Sequence, residues 1–587
     1  MINYHEILKE ILKSFVETQN SGILKWKLTY PNQKTYEVNL VFPLCLCIVD
    51  IKGAHSLCGM YDAYSNIYRP CVSCHCPEEE LDNPSYTCSP VEDSIMRKSL
   101  KENSDEELKI LSQHRVINNA FFNVDTGGWK YGIWGLCPAE ILHQFYEGLI
   151  SYTLDFFFEK MFTEKSKQAL NDDIHIIMNT CKNQSDRTLP QASFVMGISH
   201  PSKMKGTEKF AAIFYLCLYF HTTKSKSLYE GCTVQQNNAT MKRWRKLFEK
   251  ILFYKEWLMQ ETFSRKEVKE KHLKVCGFFK EFKSLVKRTE GSGLKIPKVH
   301  ELLHCCRDIL RHGPPRGYDT CPTESNHRPI KNLSQNTQRI KSKLEIQTAN
   351  RIFEDSVIRA AWNSSYDKLS SSMKANQKTT KNETKTQQGI FRMGYDIMDS
   401  NPKQISFFTF TYECLEEKII NDNFTSDLKV FLHEAIFSRI SDNTKYVPCY
   451  TTHKRDGFLF YGFSRDSRNS RSNPSWAQIK WENDDGSYFY CPGKCIMFVD
   501  LRKVPYKNDS QPFFPKDVHV IIQSFASAPQ QNDKNPSLVT MSKLESGTKF
   551  HCVSVDCIHK PAFVIPDLGN TNQVLYVHPT DMWKNYF

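Results

Sequence analysis

Two cysteines, Cys71 and Cys74 in RPCVSCHC, have the spacing that lets two thiolates reach one tetrahedral metal ion, and Cys76 and Cys58 lie close by in sequence. No second Cys-x-x-Cys follows at the distance a zinc finger needs, so further ligands must come from a remote part of the chain. His300 and His304 in KVHELLHCC are the expected partners, because residues four apart share one helical face. A structural Zn²⁺ on these four residues is one reading. Buried free thiols with a packed histidine pair is the other. The same stretch reads His300-Glu301-Leu302-Leu303-His304, formally the motif of a zinc-dependent hydrolase in which Glu301 would be the general base.

Acidic residues offer a second kind of chemistry. Asp50 closes the run VFPLCLCIVD and precedes a Gly-containing turn. A carboxylate at the end of a buried strand can hold a divalent cation at a sheet edge, and it can equally cap the turn that follows it. In CPAEILHQFYEGL, Pro138 suits a first helical turn, and Glu140, His143 and Glu147 then share a face that can bind metal or phosphate, or simply meet solvent. In TESNHRPIKN, Glu324, His327 and Lys331 form a comparable stripe of carboxylate, imidazole and ammonium. There the carboxylate can ligate Mg²⁺ while the cations touch a phosphodiester.

The elements that must position these groups follow from hydrophobic periodicity. YPNQKTYEVNLVFPLCLCIVD alternates and then becomes continuously apolar, which predicts strands entering a buried sheet. A Cys-rich loop region spans 51–92. From 138 to 320 apolar residues recur three and four apart, predicting a largely helical region, and AAIFYLCLYF at 211–220 reads as a buried helix. A further helical pattern, QTANRIFEDSVIRAAW, closes the first unit at about residue 365. A polar linker occupies 366–395, and short aromatic and β-branched segments over 396–587 predict a separate all-β unit of barrel or sandwich type.

Composition bounds the setting. The 587 residues exceed one ordinary core, and 40% hydrophobic with 24% charged residues is typical of globular protein. A formal net charge of +12 favours polyanions. The tracts MKRWRK, with Lys242, Arg243 and Arg245, and KNLSQNTQRIKSK supply Lys and Arg for phosphate contacts. The N-terminus lacks the pattern of a signal peptide and no apolar run is long enough to span a bilayer, so secretion and membrane insertion are not expected. The 21 cysteines then read as thiols and metal ligands rather than a disulfide framework.

In their order, PLCLCIVDIKGAHSLCG, RPCVSCHC, CPAEILHQFYEGL, IPKVHELLHCC and TESNHRPIKN resemble the motifs of DDE transposases of CACTA-like elements, especially the Plavaka-type branch, over about residues 41–360. The resemblance implies an α/β RNase H-like core with a large helical insertion, followed by a small β-rich domain. It implies DNA as partner, two Mg²⁺ or Mn²⁺ ions for strand cleavage and transfer, nuclear residence (otherwise cytoplasmic) and a possible homo-oligomer. Asp50 would match the second acidic residue and Glu324 the third, with Glu140 replacing the Asp usual before the Leu-Leu-His. His143, His327 and Lys331 would approach DNA. No Asp occurs among residues 1–49, where the first catalytic Asp should lie. The expectation is therefore a shortened or degenerate copy with impaired catalysis, and the competing expectation is a non-catalytic DNA- or chromatin-binding protein.

Overall fold

The structure is a computed structural model. It describes residues 2–321 with short breaks, residues 344–367, and between 408 and 587 the shorter segments that carry the strands named below.

The helical body forms as the periodicity predicts. A π-helix, Leu142–Ile150, runs directly into the α-helix Ser151–Met161, and the helices Gly206–His221, Asn238–Leu258 and Arg265–Leu285 pack around it. Gly206–His221 is apolar on every side because it is buried on every side: Lys209 through Phe220 are all in the interior. Aromatic rings fill the centre. Phe157 lies 5.0 Å from Trp244 and 5.1 Å from Phe248, centroid to centroid, and such pairs add about 0.5–1.5 kcal/mol each beyond the area they bury. Among the described residues no helix is long and apolar enough to cross a membrane.

The N-terminal part departs from the expected buried sheet. Helix Ile2–Asn20 leads to an antiparallel hairpin, Leu24–Thr29 with Thr35–Leu40, whose register pairs the Trp26 and Val38 backbones. The apolar run that follows forms no strand. Residues 42–50 have no regular structure, and single backbone bonds tie Leu44 N–H to the Asp125 carbonyl and Cys47 N–H to that of Leu136, both at 2.8 Å. Pro43 has no amide proton to contribute to a ladder, and the run is spent on bridging two loops. Asp50 then caps helix Ile51–Cys58 by accepting from Gly53 N–H at 2.7 Å. The paired strands described within 1–365 are this hairpin, so no larger sheet edge is described at which Asp50 would meet a second carboxylate.

The C-terminal region is β-rich, as expected, but it is divided between two bodies. The long strand Tyr488–Asp500 is the centre of an antiparallel sheet, paired along its first half with Trp476–Glu482 and along its second with Val518–Ser524 and Val447–Tyr450. Helix Thr425–Leu432 covers one face of this sheet through Leu428 and Leu432. A second sheet, in the order Val539–Lys543, Gln573–Val577, Phe563–Pro566, packs with helix Thr580–Tyr586 into the helical body. Leu538, Ile565, Leu575, Trp583 and Phe587 belong to the same core as Phe157 and Trp244. The expected boundary near 396 is therefore not where the packing divides. The last strands are covered on both faces, Ile565 and Leu575 by the helical body and Val564 and Tyr576 within a separate small cluster, and periodicity does not say which surfaces cover them.

Candidate metal centre

The Cys-rich loop is shaped by a short backbone pairing. Val91 N–H donates to the Ser73 carbonyl at 3.1 Å and His75 N–H to that of Ser89 at 3.0 Å, flanking a bridge between Cys74 and Pro90. Cys71, Cys74 and Cys76 are consequently turned inward, none more than 2% exposed. His55, on the helix that Asp50 caps, donates through Nε2 to the Pro70 carbonyl at 2.9 Å and fixes the entry to the loop.

The histidines arrive from the other side. Pro297 opens a helix at its first turn, the helix stops at Leu302, and His304 stands in the cap position of the next helix, Cys305–His312. Gly148 lets the first of these approach the π-helix closely: a Cβ there would lie 3.3 Å from the Lys298 Cβ and 3.2 Å from the His143 carbonyl. The His300 and His304 rings meet edge to face, 4.7 Å apart. His304 Nε2 is 3.4 Å from the Cys71 sulfur, and His300 Nε2 is 3.3 Å from the Cys74 sulfur. His300 Nδ1 donates to the Leu81 carbonyl at 3.1 Å, which fixes the tautomer and aims Nε2 at the thiols. The ligand atoms of Cys71, Cys74, His300 and His304 all lie within 4.8 Å of one another, so the four residues could hold a metal ion. Two pairs more than 200 residues apart in sequence thus meet as expected.

Charge is organised around the cluster. Burial works to raise the Cys71 thiol, but its contact with Cys74 and the two imidazoles outweigh burial and hold it well below the usual thiol range. His300 moves up, the Cys71 thiolate prevailing over burial, whereas burial and the nearby Arg307 push His304 down. Arg307 also donates to the Ser73 hydroxyl at 2.7 Å and pairs with Asp308 at 3.1 Å, and Asp308 accepts from Ala139 N–H at 3.2 Å. This chain of contacts joins the loop, the histidine segment and the start of the π-helix into one unit.

The hydrolase geometry is not assembled. A catalytic ion of that class keeps three protein ligands and an open position facing a carboxylate base. Here four donors converge, and Glu301 is not one of them. It is buried, it accepts from Gln144 Nε2, and burial followed by the Cys71 charge raises its carboxyl well above the usual range.

The other predicted residues lie apart. Glu140 is 1% exposed and is spent on capping: it accepts from the N–H groups of Leu142 and His143, from the Thr320 hydroxyl at 2.7 Å, and from His143 Nδ1 at 2.7 Å. Glu147, expected on the same face, pairs instead with Lys209. The π-helical start changes the angular spacing, so the predicted three-residue face does not form. Lys242 and Arg243 are exposed on helix Asn238–Leu258, Arg243 donating to the Ser284 hydroxyl at 2.8 Å. Arg245 turns inward, and its Nε is buried with no acceptor among the described residues. Glu324, His327 and Lys331 lie outside the described residues.

Two groupings escaped the sequence reading. Cys76 and Cys88 come within ligand distance of His300, and Cys217, His221 and Glu249 gather inside the helical body. The adjacency of Cys76 to Cys74 was a signal for the first. His221 follows Cys217 by one helical turn, but nothing local points to Glu249 on another helix. No family model, curated protein or solved structure matches the chain.

Proposed function

We propose that this chain is a transposase-like protein that holds zinc structurally and attaches to DNA without cutting it. The observation that carries the reading is the convergence of Cys71 and Cys74 with His300 and His304 into one buried donor set. Two thiolates and two imidazoles suit tetrahedral structural zinc. The pairing also supports the resemblance itself, since it unites two of the motifs on which that resemblance rests. The carboxylates argue against retained two-metal chemistry: Asp50 and Glu140 satisfy backbone N–H groups at helix starts, and each would have to leave its cap to bind Mg²⁺ or Mn²⁺. DNA association rests on the net positive charge and on the exposed Lys242, Arg243 and Lys246 of one helix.

Three measurements on the purified chain test the parts separately. Metal analysis should find zinc whose amount falls in Cys71→Ser with His304→Ala. Fluorescence anisotropy should show duplex DNA binding that weakens steeply with salt and falls in a Lys242→Glu/Arg243→Glu variant. Mn²⁺ titration calorimetry should show no saturable site dependent on Asp50 and Glu324. Mn²⁺-dependent strand nicking abolished by Asp50→Ala and Glu324→Ala would overturn the non-catalytic reading, and salt-insensitive or absent DNA binding would overturn the DNA partner.

A further inference from the structure

The four-residue set leaves two neighbouring thiols without a stated role. Cys76 is fully buried, and Cys88 is held beside it by the same backbone pairing that shapes the loop, since Ser89 bonds to His75. The ligand atoms of Cys76, Cys88 and His300 lie within 4.8 Å of one another. Cys74 belongs to the first set and stands two residues before Cys76 in the same loop, so it is the thiol placed to join the two sets. Sulfurs on one tetrahedral zinc ion stand about 3.8 Å apart, given Zn–S bonds of about 2.3 Å, so the sulfurs within each set need to close by about 1 Å at most.

Six soft donors are more than one tetrahedral ion can use. A surplus of buried thiols packed against one another is costly if they ionise together without a cation, and a second cation removes that cost. Hydrogen bonding limits how the donors divide. His300 Nδ1 is committed to the Leu81 carbonyl, so this imidazole can serve only one ion, through Nε2. A thiolate, unlike an imidazole with one nitrogen available, can bridge two.

We propose that the Cys-rich loop binds two divalent soft-metal ions that share Cys74 as a bridging thiolate. One ion takes Cys74, Cys76, Cys88 and His300. The other takes Cys71, Cys74 and His304, with a solvent ligand completing its shell. This proposal rests on the zinc reading above and deepens it, because it changes the number of ions and reassigns His300. Each thiol that binds releases its proton to solvent, so loading is proton-coupled and weakens in acid.

The test is the stoichiometry of the full chain, loaded with zinc and freed of loosely bound metal by gel filtration. Two ions per chain are expected for the wild type and one for Cys76→Ser/Cys88→Ser. Replacement by ¹¹³Cd should give two resonances, the more thiolate-rich one further downfield, with a scalar coupling between them through the Cys74 sulfur. That coupling is read on the wild type and stands even if the variant fails to fold. One ion in the wild type with a single ¹¹³Cd signal would overturn the proposal while leaving a four-ligand zinc site intact. Two ions without coupling, both kept by the double variant, would place the second ion elsewhere and also overturn it. No bound ion in the wild type would remove the zinc reading itself.

Discussion

The cluster at Cys71, Cys74, His300 and His304 and the group at Cys217, His221 and Glu249 are built from similar donors, and in each the ligand atoms lie within 4.8 Å of one another. They differ in how those atoms are already used. In the second group Glu249 Oε1 accepts from His221 Nε2, from the Ser537 hydroxyl and from Leu538 N–H, each at 2.9 Å. Burial works to raise the Glu249 carboxyl, yet His221, the Leu538 amide and Arg245 bring it below its ordinary value. Burial pushes His221 down as well, so a carboxylate beside a neutral imidazole is the resulting state. This carboxylate fastens residues 537–538 to helix Asn238–Leu258 and needs no ion to be satisfied. In the first cluster His304 Nε2 and His300 Nε2 each face a sulfur directly, at 3.4 and 3.3 Å. Ligand type and spacing are shared, and the hydrogen bonds decide between a metal site and a latch.

The largest effect that would sharpen this contrast is the loss of the first cluster. Cys71→Ser combined with His304→Ala should destabilise the fold by on the order of 4 kcal/mol or more, because a metal clasp and a loop are lost together. In chemical denaturation, a chelator should lower the wild-type midpoint by more than it lowers that of the variant. Equal chelator sensitivity in both would break the assignment.

Glu249→Ala should cost about 3 kcal/mol, since it strands the Leu538 amide and the buried His221 ring. Its loss should be the same with and without chelator. A chelator-dependent loss would turn the latch into a metal site and dissolve the comparison.

Acid should loosen the latch in a defined window. His578 sits at the same junction: its N–H donates to the Leu538 carbonyl at 3.0 Å, and its own carbonyl accepts from Trp583 Nε1 at 2.7 Å. Burial lowers its imidazole from 6.5 to about 4. The unfolded chain therefore takes up a proton below pH 6.5 that the folded chain refuses until about pH 4. The stability from the neutral ring is complete above pH 6.5 and is lost progressively down to pH 4, by about 3 kcal/mol at most. Denaturation of chelated protein across that range should show the slope, and His578→Gln should flatten it. An unchanged slope in the variant would place the acid sensitivity in other groups.

The smallest effect belongs to Asp50. As a helix cap, Asp50→Ala should cost about 1 kcal/mol and leave zinc content untouched, and Asp50→Asn or Asp50→Ser should recover most of that loss. A calorimetric Mn²⁺ signal that vanishes in Asp50→Asn would show instead that the carboxylate has a ligand role which a capping amide cannot replace.

Much of the molecule was readable from spacing. The helical region over 138–320 and the buried helix around 211–220 follow from periodicities of three to four residues, and the Cys-x-x-Cys and the His pair were legible as partners by donor type, although the helix ends at Leu302 and His304 lies beyond it. What escaped was set by tertiary bonding. The run before Asp50 has the apolar content of a strand, yet with Pro43 in it and loops at Asp125 and Leu136 waiting for single bonds, it stays irregular. Glu140 lay on a plausible ligand stripe, but the start of a helix needs acceptors, and a carboxylate two residues ahead of one is taken by its amides. Glu249 reads as an ordinary helix residue until Leu538 is beside it. Cys88 shows no ligand spacing in sequence because a backbone pairing, not a helical turn, brings it to Cys76.

The attachment of Leu538 to Glu249 spans 289 residues. During synthesis the apolar helices Gly206–His221 and Asn238–Leu258 leave the ribosome roughly 15–60 s before the strands that complete their core, at ~5–20 residues per second. Throughout that interval the nascent chain carries an open hydrophobic face, ringed by Phe214 and Tyr254, that Trp583 and Phe587 will later cover. The protein's yield in a cell is thus tied to how well chaperones shield that face while translation proceeds.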